Sequence, residues 1–432
     1  MTCLEPFLSL RKFRKIADLN ARRPHSNLYA KLWLVNNYGL SIKKGNRMSS
    51  IFQRPELAEQ MANQLLNPGV LDEGLRSGLF LSGLRRTGKT TFLRNDLIPA
   101  LEEAGALVIY VDLWSDTLAN PATLVHDAIR QRLEELQTPG SSLLEMLKRV
   151  SGVDVGAAGF KFGFKLDSIG NAGGPSLAQA LTEVVDQAKT DLVLIIDEVQ
   201  HAISSDDGNQ LLLALKAARD AINPRPNTPG YFLFIGTGSH RAQVSELTAK
   251  RNQAFAGATS TAYPVLKGDY VEYLLNRLAM TVKKEKLPSL EVAIEAFNTL
   301  GNRPEEMLKA LRQLMQQEGD PDLFLPVIAS TLRSAAANIE LEKVEQLGSL
   351  AQAIFNKIAS TEGNARGIFS IDAAAEYSKT VGREVRVEEI QPVVIALVAE
   401  NIIMRRGHGI YAITDQFVQE IWLEERALID AS

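Results

Sequence analysis

The stretch LFLSGLRRTGKTTFL, residues 79–93, predicts a strand, a tight turn and a helix in direct succession. Phe80 and Leu81 belong to a short apolar run, which is typical of a buried strand. Gly83 and Gly88 permit a tight turn, because glycine adopts backbone angles that other residues avoid. Leucines follow the second glycine at helical spacing. The stretch therefore favours an α/β fold with a loop exposed where the strand ends.

This loop also predicts a phosphate-binding site. Gly83, Gly88, Lys89 and Thr90 fit the pattern G-x-x-x-x-G-K-[ST] without a mismatch. Backbone N–H groups of such a loop point at a phosphate, and the N-terminus of the next helix adds positive potential. A chance match in a glycine turn is the alternative, but the flanking strand and helix favour nucleotide. We expect nucleotide contacts from Gly83, Leu84, Arg85, Arg86, Thr87, Gly88, Lys89, Thr90 and Thr91.

A second motif, DLVLIIDEVQ at residues 191–200, supplies carboxylates. Its continuous apolar run predicts a strand buried on both faces of a parallel sheet. Asp197 and Glu198 would then emerge at the carboxyl end of the strand, where α/β sheets bind ligands. We expect Asp197 and Thr90 to hold Mg²⁺, Glu198 to orient and polarise the attacking water, and Lys89 to stabilise the outer phosphates. Taken alone, the motif could be a strand that ends in an acidic turn.

Further strands alternate with helical patterns along this half of the chain. Apolar runs at 106–113 and 231–241 predict strands, and the alternation favours a parallel sheet with helices on both faces. At the end of the later run, Thr237 and Ser239 are candidates to touch the γ-phosphate or the water, or they merely cap a turn. The glycine-rich segment 151–175 alternates aromatic residues and predicts an inserted β-hairpin, with a flexible loop as the alternative.

After Val265 the pattern becomes helical. Arg303 precedes Pro304 at a predicted helix start, and a small helical lid would place this arginine near the phosphates. The alternative is a solvated arginine before a proline that occupies the first helical position. The last ~90 residues then predict helix, helix, hairpin and helix, which is the order of a winged helix.

The winged-helix pattern leaves the partner open. Many winged helices bind DNA through the second helix and the hairpin. Four arginines could meet phosphates there: Arg383, Arg386, Arg405 and Arg406. Residues 340–432 nevertheless hold fifteen Asp/Glu against nine Lys/Arg, whereas DNA-binding domains are usually basic. Double-stranded DNA and a protein partner are both open.

Composition limits the class of protein. A chain of 432 residues with 45% hydrophobic residues can form two or three domains. Cys3 is the only cysteine, which excludes a disulfide framework and a thiolate zinc site. No apolar run approaches the ~18 residues of a membrane span, so we expect a cytoplasmic protein without membrane contact. Residues 1–47 carry +8 and the rest −12; this leader is a basic arm, a disordered segment or a misassigned start before Met48.

The combined motifs resemble the AAA+ ATPases, specifically archaeal-type ATPases near the STAND group, with similarity to replication initiators. The motifs that carry the resemblance are Phe52-x-Arg54, Arg85-Arg86 within the phosphate loop, the IIDE strand, the GTGS strand and Gly301-x-Arg303-Pro304. The resemblance implies an α/β P-loop NTPase with a five-stranded parallel sheet core, a helical lid and a C-terminal winged-helix domain. The implied order is leader 1–47, ATPase core 48–264 with the insertion 151–175, lid 265–340 and winged helix 341–432.

The resemblance also assigns roles and reveals one departure. Arg303 matches a sensor arginine of the lid. Archaeal-type members often carry Tyr-Gly-Arg after the fourth strand, which supplies an arginine to a nucleotide, whereas this chain has Ala256-Gly257-Ala258. Arg251 is the candidate substitute, and it would act in a homo-oligomer.

These features lead to one expected function and two alternatives. We expect an ATPase that uses ATP and Mg²⁺ and acts as a molecular switch, in which the nucleotide state repositions the lid and the winged helix to engage a partner. The first alternative is a DNA-binding ATPase, such as an initiator or a mobile-element regulator. The second is a nucleotide sensor that does not hydrolyse ATP.

Overall fold

The computed structural model describes residues 51–430 except 117–118, 152–158, 171–172, 240, 250–252, 362–364 and 408. The residues from Gln53 onward belong to one compact unit. The predicted leader and the candidate Arg251 lie outside the described residues. None of the described helices is both long enough and apolar enough to cross a bilayer.

Five parallel strands form the central sheet, in the order β2-β3-β4-β1-β5. They are β1 (Leu79–Ser82), β2 (Leu107–Asp112), β3 (Leu192–Asp197), β4 (Phe232–Gly238) and β5 (Thr259–Ala262). In the register, Leu81 pairs with Thr237 and Asp112 pairs with Asp197. Because all strands run the same way, their carboxyl ends meet at one edge. The loop after β1, the acidic end of β3 and the polar end of β4 therefore lie side by side.

Helices cover both faces of this sheet. They are α1 (Pro55–Leu66), α2 (Lys89–Phe92), α3 (Ile98–Glu103), α4 (Pro121–Gln137), α5 (Ser142–Ser151), α6 (Leu177–Ala188), α7 (Asp206–Ile222) and α8 (Arg241–Ala249). On β3, Leu194 and Ile196 pack into one apolar core, while Val193 and Ile195 pack into the core of the opposite face. The continuous apolar run of β3 is thus buried on both faces, as predicted.

The helix after the phosphate loop is interrupted before Pro99. A π-helical turn, Leu93–Leu97, separates α2 from α3, and Pro99 lies in the first turn of α3. The backbone of Leu97 and Ile98 is helical, so the chain stays helical through the π-helical turn that precedes Pro99. The structure shows a π-helical turn before Pro99 and no restart of the helix, and a bend at this residue stays a prediction.

The glycine-rich segment differs from its prediction. Its described residues contain a short 3₁₀ turn, Leu166–Ser168, and no strand. The alternating rings form a stacked row instead, with centroids 5.6 Å apart for Phe162 and Phe164. The backbone N of Phe160 donates to the carbonyl of Leu136 at the end of α4, at 3.1 Å. In the described part, the aromatic alternation therefore serves packing against a helix and not strand pairing.

The helical region after the core comprises α9 (Gly268–Leu278), α10 (Leu290–Thr299), α11 (Pro304–Leu314) and α12 (Pro321–Gln346). The C-terminal elements are α13 (Ser349–Ala359), α14 (Ile371–Val381), α15 (Val387–Ala399), β6 (Ile403–Gly407), β7 (Ile410–Ile413) and α16 (Gln416–Asp430). The strands β6 and β7 pair antiparallel as the predicted hairpin. An isolated antiparallel bridge between Ala365 and Tyr411 joins the segment before α14 to β7. This is the element order of a winged helix; the exact domain boundaries stay a prediction.

Candidate functional site

The phosphate loop closes around its own lysine. Gly88 adopts a left-handed conformation with φ of +89° and starts α2. The Lys89 side chain is buried, and its Nζ donates to the carbonyls of Gly83 (2.9 Å) and Leu84 (2.8 Å). Burial lowers the pKa of Lys89, although the carboxylates of Glu198 and Asp197 oppose this shift. The ammonium is thus held at the centre of the loop.

Tyr263, which directly follows β5, shapes this loop. A Cβ on Gly83 would lie 3.1 Å from the Tyr263 Cβ, so the first loop position has little room for a side chain. The Tyr263 hydroxyl donates to the carbonyl of Gly88 at 3.2 Å and accepts from the guanidinium of Arg54. Arg54 also donates to the carbonyl of Pro264 at 2.6 Å. Sequence reasoning missed Tyr263, although it had noted Arg54.

The predicted metal ligands are adjacent. Thr90 Oγ1 donates to Asp197 Oδ2 at 2.6 Å, and the Tyr110 hydroxyl donates to the same oxygen at 3.2 Å. The other oxygen, Asp197 Oδ1, accepts from the hydroxyl of Thr237. Asp197 is buried and Thr90 is exposed. The structure therefore brings the loop, β3 and β4 together at one carboxylate.

Glu198 is fixed beside this carboxylate. Its backbone is left-handed, with φ of 56°, which is unusual for a glutamate. Glu198 Oε2 accepts from the backbone N (3.1 Å) and the Oγ (2.8 Å) of Ser239, and from the side-chain amide of Gln200. Burial alone would raise the pKa of Glu198, but the hydrogen bonds from Gln200 and Ser239 and the nearby Lys89 outweigh it and hold the pKa below its usual value. The side chain is therefore a carboxylate at neutral pH.

Gln200 is a site residue that the motifs did not reveal. It lies two positions after Glu198 in the short turn that follows β3. A Cβ on Gly238 would lie only 2.3 Å from Gln200 Oε1, so glycine at the end of β4 allows this amide to approach. In the sequence, the glycines of the GTGS strand were the feature that could have indicated a close approach by another side chain.

The two loop arginines point to different partners. Arg85 lies with its guanidinium carbon 4.2 Å from the centroid of the Trp114 ring. Arg86 has φ of 65°, and its side chain lies 3.1 Å from Glu305 and 3.7 Å from Glu306, at the start of α11. Among the other predicted contacts, Thr87 is buried and Thr91 is exposed.

Arg303 is engaged by the C-terminal region. Its guanidinium donates to Asp415, just before α16, and lies 5.2 Å from the centroid of the Phe417 ring. Its Nε is buried and has no hydrogen-bond partner among the described residues. The predicted sensor arginine thus lies two and three residues before Glu305 and Glu306, which contact Arg86, but its own side chain meets Asp415 and Phe417.

These residues fit a nucleotide with a magnesium ion. Mg²⁺ favours oxygen ligands and typically uses only one or two protein groups beside phosphates and waters. Thr90 and Asp197 supply a hydroxyl and a carboxylate, which matches this donor set. The described residues contain no cluster of three or more His, Cys, Asp or Glu side chains that could hold a metal by itself. The loop glycines leave the backbone free to approach phosphate oxygens.

The fold and site define a P-loop nucleotide-binding protein. Residues 73–244 match the model of the AAA domain family, and the parallel sheet with its phosphate loop is the AAA+ P-loop fold. No curated protein matches the chain.

Solved structures are similar in fold. A Walker-type ATPase of Pyrococcus abyssi is 17% identical, with a TM-score of 0.51 over 87% of this chain and 97% of its own. The ORC2 protein of Aeropyrum pernix, in its ADP form, is 14% identical, with a TM-score of 0.50 over 88% of this chain and 96% of its own. At these identities the likeness concerns the fold alone.

Proposed function

We propose that the chain hydrolyses ATP with Mg²⁺ and acts as a molecular switch. The observation that carries the proposal is the 2.6 Å hydrogen bond from Thr90 to Asp197, with Glu198 next in the chain. It joins the phosphate loop to the acidic strand across more than a hundred residues. These are the groups that P-loop ATPases use for the metal and for the attacking water.

Each residue has a defined task in this reaction. Hydrolysis forms a bond between a water oxygen and the γ-phosphorus and breaks the bond from that phosphorus to the bridging oxygen of ADP. Thr90 and Asp197 would hold Mg²⁺, whose charge stabilises the phosphate oxygens. Lys89 exchanges its two carbonyl partners for outer phosphate oxygens. Glu198, with its lowered pKa, is a weak base, so it acts mainly by orienting and polarising the water.

Thr237 has a supporting task. Its hydroxyl donates to Asp197 Oδ1, while Thr90 and Tyr110 donate to Oδ2. Both carboxylate oxygens are thereby fixed at the edge of the sheet. We infer that Thr237 positions the metal-binding carboxylate, and that Ser239 positions Glu198 in the same way.

Two ion pairs connect the site to the rest of the chain. Arg86 of the loop pairs with Glu305, and Arg303 pairs with Asp415 before α16. Arg241, which follows the β4 strand, donates to the carbonyl of Thr414 at 3.3 Å. Arg86 and Arg303 can each exchange a carboxylate for a phosphate oxygen. Such an exchange would loosen α11 and the winged helix from their present contacts.

The exposed side of α15 favours a protein partner. The residues exposed on this helix are Glu388, Gln391, Pro392, Ile395 and Ala399, and Ile395 is 60% exposed. None of them is a cation, whereas a helix that reads DNA needs cations near the phosphates. Of the two exposed arginines that precede the helix, Arg383 pairs with Glu389 at 2.9 Å and Arg386 is the N-cap. A groove of about 660 Å³ lies between this helix and the hairpin, lined mostly by apolar side chains. A DNA-binding ATPase remains the second candidate because Arg405 and Arg406 lie on β6 and Arg386 is exposed at the start of α15.

Steady-state ATP turnover of the full chain tests the proposal. We expect Mg²⁺-dependent phosphate release that double-stranded DNA does not change. Stimulation by DNA that weakens with rising salt would favour the second candidate. ATP binding without turnover would favour the other alternative, a nucleotide sensor that does not hydrolyse ATP. Repeating the assay at two protein concentrations tests the predicted homo-oligomer.

Asp415→Asn is expected to tighten ATP binding, because Asp415 competes with phosphate for Arg303. We expect a roughly 5- to 10-fold lower Kd, within the usual range of coupling between sites. Arg303→Ala should slow hydrolysis more than it weakens binding. In the Arg303→Ala background the effect of Asp415→Asn should vanish, which a double-mutant cycle measures.

A matched control lies one turn further along α16. Glu420 pairs with Arg333, and Arg333 also lies against the Phe417 ring, at 5.5 Å from its centroid. Glu420→Gln removes a similar ion pair without releasing Arg303, so its Kd should equal that of the wild type. If Asp415→Asn and Glu420→Gln bind ATP with equal affinity, Asp415 does not compete with phosphate for Arg303.

A further inference from the structure

The guanidinium of Arg85 lies next to the acid that orients the water. Arg85 Nε donates to Ser239 Oγ through a long hydrogen bond of 3.4 Å. The same Ser239 hydroxyl donates to Glu198 Oε2 at 2.8 Å. A single hydroxyl therefore separates the cation of Arg85 from the carboxylate of Glu198.

Trp114 holds this guanidinium in place. The Arg85 side chain is exposed, so it would otherwise sample many rotamers. Its guanidinium carbon lies 4.2 Å from the Trp114 ring centroid, which is a cation–π contact. Trp114 follows β2 at the same sheet edge, and its backbone N donates to Asp112 Oδ1 at 2.9 Å. A planar guanidinium suits such stacking better than an ammonium does.

We infer that Arg85 is a catalytic residue that acts in cis, by stabilising the negative charge that develops on the transferred phosphoryl group. This inference rests on the proposed ATP hydrolysis. The transition state spreads charge over three oxygens of the phosphoryl group, and arginine is the usual group to meet it. Arg85 comes from the phosphate loop itself and reaches the side of Glu198. The two loop arginines thus divide their tasks, because Arg86 faces the acids of α11.

A complete site within one chain has a measurable consequence. Where a neighbouring subunit supplies the arginine, the specific rate rises with protein concentration. With Arg85 in cis, the turnover per chain is independent of concentration. The chemical step then needs no arginine from a second subunit.

Turnover and binding of Arg85 variants test the inference in the full chain. Arg85→Ala should lower kcat about 10³-fold, the lower range for such arginines. Its Kd for a non-hydrolysable ATP analogue should stay within about threefold of wild type, since the charge is met mainly in the transition state. Arg85→Lys should not restore the rate. Trp114→Leu should lower kcat only about 2- to 5-fold, as expected from loss of one exposed cation–π contact.

Mixing two inactive variants separates cis from trans action. Arg85→Ala retains Glu198, and Glu198→Gln retains Arg85. An equimolar mixture should stay inactive if Arg85 serves its own site. Recovered turnover would mean that the arginine crosses to a second chain, and it would overturn the inference.

Arg426→Ala is the matched control, because Arg426 also stacks on a tryptophan, Trp422, at 4.8 Å but lies on α16. Its turnover should equal that of the wild type. If Arg85→Ala also hydrolyses ATP at the wild-type rate, the role of Arg85 is refuted while ATP hydrolysis stands. A wild-type chain without any turnover would refute the proposed function and this inference together.

Discussion

Glu198→Gln is expected to lower ATP turnover about 10²- to 10⁴-fold, the range for a side chain that is positioned on the reacting water. The amide keeps the shape of the side chain but loses the charge that polarises the water. ATP should still bind with nearly unchanged affinity, because Lys89, Thr90 and Asp197 are intact. Phosphate release gives kcat, and titration with a fluorescent nucleotide gives Kd.

The same chemical change far from the site provides the control. Glu183 on α6 accepts a hydrogen bond from the backbone N of Gly163 at 2.5 Å, so it too is a carboxylate bound to a main-chain donor. Glu183→Gln should turn over ATP like the wild type. Undiminished turnover in Glu198→Gln would contradict the assigned role of Glu198. Another group would then have to orient the attacking water.

Local sequence patterns predicted most of the core. The segments that form β2, β3 and β4 are apolar on both faces, so the burial of each strand can be predicted from its own residues. β5 was not recognised as a strand from its residues, because Thr259–Ala262 is polar and mostly exposed at the edge of the sheet. Its position is set by pairing with β1, which is information that the segment itself does not contain.

Motifs predict a contact between distant segments only where both partners belong to a known pattern. Thr90 and Asp197 were predicted to share Mg²⁺ because two known patterns imply it, and the structure places them within hydrogen-bond distance of each other. The link from Arg303 to Asp415 spans 112 positions and depends on how α16 packs against the helical region. Asp415 stands in no motif, so packing alone reveals it. The sequence placed Arg303 at a helix start correctly but could not indicate which anion it meets.

Lys89→Ala is expected to bring nucleotide binding below detection and to abolish turnover. The buried ammonium is the loop's point charge for the outer phosphates, and charge-assisted hydrogen bonds contribute about 1.5–3 kcal/mol each, so ATP affinity should fall on the order of 10²-fold or more. Loss of folding would mimic this result, because Lys89→Ala also removes the hydrogen bonds to the carbonyls of Gly83 and Leu84. Thermal unfolding measured on the same variant separates a lost nucleotide contact from a lost fold. Lys148→Ala, which removes a lysine paired with Glu145 on α5, should bind ATP normally. Normal binding by Lys89→Ala would refute the assignment of the loop, because Lys89 is the cation that the assignment gives to the outer phosphates.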